Sequence, residues 1–461
     1  MVEIENVVAR GLKRMRQIMG GQAGTEDKPL SPRQLLRLRS QLQDCATALG
    51  GEVAARQRAA RLAETYLGLG DRGRREFLCM IAREFGPDPQ AVAKAHRAYH
   101  AAIGTPRQWD AEAGLRAALR SSRLRIMTHF NALPQGVKFL VDLRADLLRY
   151  LVQDEGLHPL DLELESQFVD WFDVGFLELQ RITWQSPAAL LEKLIEYEAV
   201  HTIHSWTDLR NRLDTDRRCY AFFHPRMPHE PLIFVEVALT NRLADSIQLL
   251  LDEDAPVFDT GRADTAIFYS ISNTQRGLRG VSFGSFLLKR VIDDLTRDFP
   301  RLKSFATLSP LPTFWRWVER NPKELEAVMG EGLLASAGTP REFAHNPAAL
   351  AAYLRRGEWH GEPHLRRVLR HPLTRLAARY LLGTGKGELP FDPVARFHLG
   401  NGARVERLNW LADTSAKGFA QSYGLMVNYL YDPNAIEENV EAYSAQGQIA
   451  ASAAIRRAAK E

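Results

Sequence analysis

The chain has 461 residues, 45% of them hydrophobic and 25% charged, with a formal net charge of +4. That length supports two or three domains with a sizeable core, and so small a charge does not imply nucleic-acid binding by bulk electrostatics. The three cysteines, Cys45, Cys79 and Cys219, never stand in CxxC spacing; this argues against a disulfide framework or a structural zinc site, fits a reducing cytoplasm, and no run approaches the ~20 apolar residues of a membrane span.

From the N-terminus, Val7, Val8, Leu12, Met15, Ile18 and Met19 are spaced along one helix face, unlike a secretory signal, and Glu3 and Glu5 argue against a transit peptide. Residues 1 to about 165 predict helices throughout. SPRQLLRLRSQLQDCATAL opens with Ser31 as N-cap and Pro32 at the first helical position. DRGRREFLCMIAREFG runs from Asp71 to a C-cap at Gly86. PDPQAVAKAHRAYHAA and a long run from Trp109 to Phe130 continue the pattern, and the turn at Gly136 leads into FLVDLRADLLRYLVQ. β-Branched runs are missing, so residues 1–168 read as an all-helical bundle.

Residues 169–461 differ in texture. RRCYAFFHP, EPLIFVEVAL and TAIFYSISN are strand candidates, the first two separated by a turn containing Pro225 and Pro228. A glycine-punctuated turn and a strongly patterned helix follow, then a fourth strand in SFATLSP; RFHLGNGARVERLNW and GLMVNYLYD supply further strand-like segments, and AASAAIRRAAKE reads as helix. A helix crossover between the third and fourth strands predicts a mixed α/β domain, and hence an α+β chain overall.

The turn TQRGLRGVSFGS sets Gly277, Gly280 and Gly284, two hydroxyls, Arg276 and Arg279 at a helix N-terminus. Unpaired amides and a partial positive charge there suit an anion, and glycine lets backbone approach it closely. A pyrophosphate is the natural occupant, although GxxxxGK[ST] and GxGxxG are absent and GTGKGE at 383–388 lacks the first glycine and the hydroxyl of a phosphate loop. The strand–turn–helix resembles the pyrophosphate cradle of the acetyltransferase (GNAT) superfamily without meeting its Q/RxxGxG/A spacing. The competing reading gives the glycines to a sharp turn and close helix–strand packing.

Several long motifs, in order, resemble malonyl-CoA decarboxylases: LPQGVKFLVDLRADLL, RITWQSPAALLEKLIEYEAVH, TQRGLRGVSFGSFLLKRV, FATLSPLPTFWRW, DPVARFHLGNGARVERLNWLAD and GLMVNYLYD. The resemblance covers residues from about 70 to about 435. It implies a helical oligomerisation domain, a GNAT-like catalytic domain that holds CoA, a homotetramer built as a dimer of dimers, and conversion of malonyl-CoA to acetyl-CoA and CO2 without metal or organic cofactor. It places the acting serine and histidine at Ser309 and His398, with Tyr431 near them. The CoA-contacting loop falls on Arg279, Gly280, Val281, Ser282, Phe283, Gly284 and Ser285. Ser282 departs from relatives that carry glutamate there, close to the histidine.

The chemistry so implied leaves electrons on C2 as a thioester enolate, so donors must meet the thioester oxygen and an acid must protonate C2. His398 suits the acid because histidine changes protonation near neutral pH. By spacing alone, Ser309 before Pro310 also reads as an N-cap, His398 as a structural histidine and Tyr431 as core, while Arg276 and Lys289 read either as contacts to CoA phosphates or as a solvated helix face. His360 and His364 have no third ligand nearby, and Pro363 interrupts the helix that would align them, which argues against a metal. A GNAT-type acyltransferase and a non-catalytic CoA-binding regulator are the alternative functions.

Overall fold

The computed structural model describes residues 27–281, 286–330, 346–383 and 390–460. The helix predicted near the N-terminus and most of GTGKGE lie outside them. The described residues form two compact units. One comprises the chain through Phe176 together with His224–Pro228 and Gln275–Ser282; the other takes Leu177–Phe223, His229–Thr274 and the remainder from Phe283.

The first unit is helical: α1 (Pro32–Ala46), α2 (Gly51–Leu67), α3 (Asp71–Glu84), α4 (Pro89–Ala102), α5 (Gln108–Leu119), α6 (Ser122–Asn131), α7 (Gly136–Leu151) and α8 (His158–Trp171). Ser31 caps α1, as its sequence predicts, and does so in a full capping box with Gln34. The run from Trp109 to Phe130 is two helices where periodicity predicts one. Ser121 interrupts it, accepting from the Leu124 amide while its own hydroxyl donates to Glu163 at 2.7 Å. Tyr66, Phe77, Phe130 and Phe139 form an aromatic centre with ring centroids 5.1–5.8 Å apart along their contacts.

The second unit is built on an eight-stranded mixed sheet: β1 (Glu178–Ile182), β2 (Arg217–Phe223), β3 (Pro231–Thr240), β4 (Thr265–Asn273), β5 (Ser304–Thr307), β6 (Ser309–Pro310), β7 (Arg404–Asn409) and β8 (Met426–Tyr431). Its helices are α9 (Ala188–Tyr197), α10 (Trp206–Arg212), α11 (Ile247–Leu250), α12 (Phe286–Asp298), α13 (Phe314–Arg320), α14 (Pro322–Met329), α15 (Pro347–Arg356), α16 (Pro363–Leu382), α17 (Pro393–Gly400), α18 (Ala416–Ser422), α19 (Ile436–Gln446) and α20 (Ala453–Lys460). Strand order is β1-β2-β3-β4-β5-β8-β6, with β7 also on β8. Among the strands of the described residues, β4 and β5 alone pair in parallel, and α12 is the crossover between them, as the strand order in sequence predicts. The exposed, polar β1 carries no β-branched run and is not predicted.

Two irregularities shape this sheet. Glu236 faces Ser270 and Val237 faces Phe268, so Tyr269 is an extra residue and β4 bulges there. Pairing of β4 with β5 ends at Phe268–Thr307, with one further bond from Leu308 N to Phe268 O, while β4 runs on to Asn273 paired with β3. The predicted strand SFATLSP is therefore two pieces, both on β8. Ser309 stands just past the point where the parallel strands part. Among the described residues no helix is long and apolar enough to cross a membrane.

Candidate functional site

His398 sits on α17, where the sequence reading places strand-like chain. The helix is started by Asp392, whose Oδ1 accepts from the amides of Val394 and Ala395 at 2.8 and 3.0 Å, and by Pro393 at the first helical position. Its other oxygen accepts from the Tyr380 hydroxyl at 2.8 Å, and that hydroxyl meets Thr313 Oγ1 at 2.7 Å. The cap is thus itself held from behind, which fixes where the helix delivers His398.

Strand β8 meets the helix from the sheet. Side chains alternate along it: Met426 and Leu430 join Ile267, Tyr269, Ala306 and Leu308 on one face, while Tyr429 and Tyr431 turn to His398. The Tyr429 ring stacks on the imidazole at 4.5 Å between centroids, and the Tyr431 hydroxyl lies 2.7 Å from its Nδ1. Ser309 Oγ lies 3.2 Å from Nε2 and donates to Thr307 Oγ1 at 2.8 Å. Thr307 Oγ1 also accepts from the Tyr429 amide at 3.1 Å. Three sequence-predicted site residues, 309, 398 and 431, therefore meet in one hydrogen-bonded line. The helix α13 begins after Thr313, so Ser309 is a strand residue and caps nothing.

The line is dry. Ser309 is 6% exposed, His398 3% and Tyr431 1%. Burial alone pushes the His398 imidazole down to about 3, so it is neutral at neutral pH and does not titrate in the range expected from its ordinary value. Burial likewise raises the phenols of Tyr429 and Tyr431, and raises Asp392 against the pull of Tyr380 and the two amides. Donors in so unsolvated a place act on an anion more strongly than they would in water.

The glycine turn belongs to the helical unit. Gly277 lies against α7: a Cβ there would stand 1.8 Å from the Val141 carbonyl oxygen, so close packing alone demands glycine. Gly280 has φ +88°, and a Cβ on it would meet Glu165 Oε1 at 3.0 Å. The buried Arg144 bonds the carbonyls of Gly277 and Arg279 at 2.9 and 2.8 Å, and its remaining nitrogens pair with Asp161 and Glu165 at 2.8 Å each. Arg276, Arg279 and Gly280 are exposed and Val281 is buried. Ser282, Phe283, Gly284 and Ser285 lie outside the described residues. The packing reading is thus satisfied at Gly277, while two arginines and the Gly280 backbone remain open to solvent.

Lys289 pairs with Glu437 at 3.0 Å on the surface of the sheet unit. His360 lies in a single helical turn with its Nδ1 2.5 Å from the Gly357 carbonyl oxygen, and no group of three metal-ligating side chains occurs among the described residues. Sequence reasoning missed Thr307, Asp392 and Tyr429. The Asp392-Pro393 pair was a legible helix-start signal; nothing in the spacing marks the other two.

Residues 175–461 match the malonyl-CoA decarboxylase C-terminal domain, and residues 85–172 match the N-terminal domain of the same family. The mitochondrial malonyl-CoA decarboxylase of Mus musculus is 40% identical over 386 residues, which cover 79% of this chain and 78% of that protein. The crystal structure of malonyl-CoA decarboxylase from Rhodopseudomonas palustris superposes with TM-score 0.82 at 40% identity, covering 93% of this chain and all of that one. The enzyme from Cupriavidus metallidurans gives 0.71 at 44%, covering 92% and 100%. With both domains matched in order and relatives about 40% identical over most of the chain, the chain belongs to the malonyl-CoA decarboxylase family.

Proposed function

We propose that this chain converts malonyl-CoA to acetyl-CoA and CO2, using Ser309, His398 and Tyr431 at the acyl end and no metal or organic cofactor. The carrying observation is the buried line from Ser309 through both imidazole nitrogens to Tyr431, in a chain of this family. In the reaction the bond between C2 and the carboxylate breaks, its electron pair delocalises from C2 onto the thioester oxygen, CO2 leaves, and C2 takes one proton. With substrate bound, the Ser309 hydroxyl turns its one hydrogen from Thr307 to the carboxylate or thioester oxygen, and His398 delivers the proton. An anion brought beside the neutral imidazole favours its cation, so the proton consumed in each turnover is taken up with the substrate. No acyl group moves to the protein, so no acyl-serine is required.

The loop from Arg279 to Ser285 is assigned to the CoA diphosphate, with the exposed arginines and the Gly280 backbone in support. Binding there, remote from the reacting carbon, helps hold the conformer whose C–C bond stands out of the thioester plane. The assembly is a homotetramer made as a dimer of dimers, with the helical region supplying contacts. Three free cysteines accord with a reducing cytoplasm, and fractionation tests this against the mitochondrial setting named for the mouse relative.

The test is purified protein with malonyl-CoA in the presence of a chelator. Acetyl-CoA and CO2 should appear in equal amounts without an added acceptor. Ser309→Ala and His398→Ala should each lower kcat by about 10²–10⁴-fold. Normal turnover by both variants would overturn the assignment. Product that requires an added amine would point to an acyltransferase, and CoA binding without product to a regulator.

A further inference from the structure

We propose that Thr307 is a positioning residue that sets the direction of the hydrogen bonds from Ser309 to Tyr431 in the resting protein, holding His398 as the Nε2–H tautomer. The clamp rests on the proposed function only for its kinetic consequence. Thr307 itself is fully buried and held at two points: its carbonyl oxygen accepts from Asn428 Nδ2 at 2.7 Å and its hydroxyl oxygen from the Tyr429 amide at 3.1 Å. The Asn428 side chain is held in turn, its Oδ1 accepting from Asn409 and Arg407 at 2.9 and 3.1 Å. The acceptor offered to Ser309 is therefore a fixed one.

A serine hydroxyl has one hydrogen. The geometry of the 2.8 Å contact has Ser309 donating to Thr307, so toward His398 Ser309 can only accept. Nε2 must then carry the hydrogen, and Nδ1 is left to accept from the Tyr431 hydroxyl at 2.7 Å. The reversed line would run from Thr307 through Ser309 to Nε2, and from Nδ1 to Tyr431. It would leave the phenolic hydrogen of Tyr431 without an acceptor among the described residues. The forward line leaves only the hydrogen of Thr307, an alcohol and a weaker donor than a phenol. Tyr429 completes the clamp, because its amide holds Thr307 while its ring, stacked on the imidazole, holds the plane in which both nitrogens bond. The consequence is an imidazole N–H directed to the Ser309 side in the resting protein, with the tautomer chosen two residues upstream of the serine.

The experiment reads the tautomer directly by nitrogen-15 NMR of histidine-labelled full-length protein, with no substrate present. The chain has 13 histidines, and the His398 signal is identified by its loss in His398→Gln. Wild type and Thr307→Ser should show hydrogen on Nε2. Thr307→Val keeps the β-branched shape but removes the acceptor, and should shift the signal toward the Nδ1–H form. It should also lower kcat at least about 10-fold with KM for malonyl-CoA within about 2-fold, and Thr307→Ser should restore most of the loss. An Nδ1–H tautomer in wild type would overturn the proposal, as would a Thr307→Val protein with unchanged tautomer and turnover. Should Thr307→Val not fold, the wild-type and Thr307→Ser tautomers still decide. Absence of decarboxylation by wild type would instead refute the proposed function, since the tautomer is measured without turnover.

Discussion

Burying His398 against Tyr429 removes the water that would solvate its cation, and the cost returns as a dependence of stability on pH. In the unfolded chain the imidazole binds a proton below about 6.5, whereas in the folded protein it does so only near 3. Between those values the unfolded state holds more protons, so its stabilising contribution is full above 6.5 and is lost as pH falls toward 3, at up to about 1.4 kcal/mol per pH unit. Going from pH 7 to pH 5, wild type should lose about 2 kcal/mol more than His398→Gln, which cannot take up this proton. Urea denaturation of both proteins at the two pH values measures it; equal losses would mean that the folded imidazole titrates as freely as in the unfolded chain. The same burial means that the residue picked out for its neutral-range titration is not charged at rest. Residue type was legible in the sequence, but its protonation was not, because the low value comes from neighbours 31 and 33 positions away, Tyr429 and Tyr431.

Elements were legible where the chain's own period matched its burial. The strands β2, β3 and β4 read as apolar runs because both of their faces are covered, and α1 announced itself by Ser31 and Pro32. The reading failed at RFHLG, where apolar and polar residues alternate over a short span and hide the helix that Asp392-Pro393 starts. It also failed at Ser121, whose capping competes with a run that periodicity continues. The glycine turn shows a third limit: Gly277 is dictated by the backbone of α7, more than 130 positions away, which no local pattern records. Arg144 is the link between these elements. It is 1% exposed, and it neutralises Asp161 while satisfying two carbonyls of the turn. Arg144→Met should therefore leave a buried carboxylate and two carbonyl oxygens without their donor, costing about 3–5 kcal/mol. Because the turn loses its anchor, KM for malonyl-CoA should rise while the residual kcat changes less. Chemical denaturation and steady-state kinetics check the two halves separately, and an unchanged midpoint would show that the ion pair contributes nothing to the fold.

For the whole molecule, one informative region is an apolar face that the isolated chain leaves uncovered. Helices α4 and α5 are amphipathic and pack chiefly against each other, yet among their residues only Ala102 is buried. Beside them Ile103 is 51% exposed, Trp109 75% and Leu119 52%. Two short helices with their apolar side chains in water have little to hold them in place, since most helix stability in proteins comes from packing an apolar face. A second copy of the chain covering that face would supply the missing packing, as the proposed tetramer requires. Light scattering at micromolar protein should accordingly give a mass several times the 52.0 kDa of one chain. Trp109→Glu places a charge where the single chain is open to solvent, so it should change the stability of that chain by no more than about 0.5 kcal/mol. Within an interface the same charge would be desolvated without a partner, and the mass should fall toward that of a smaller assembly. A wild-type protein that scatters as a monomer would refute the assembly, and a Trp109→Glu variant of unchanged mass would move its contacts elsewhere on the chain.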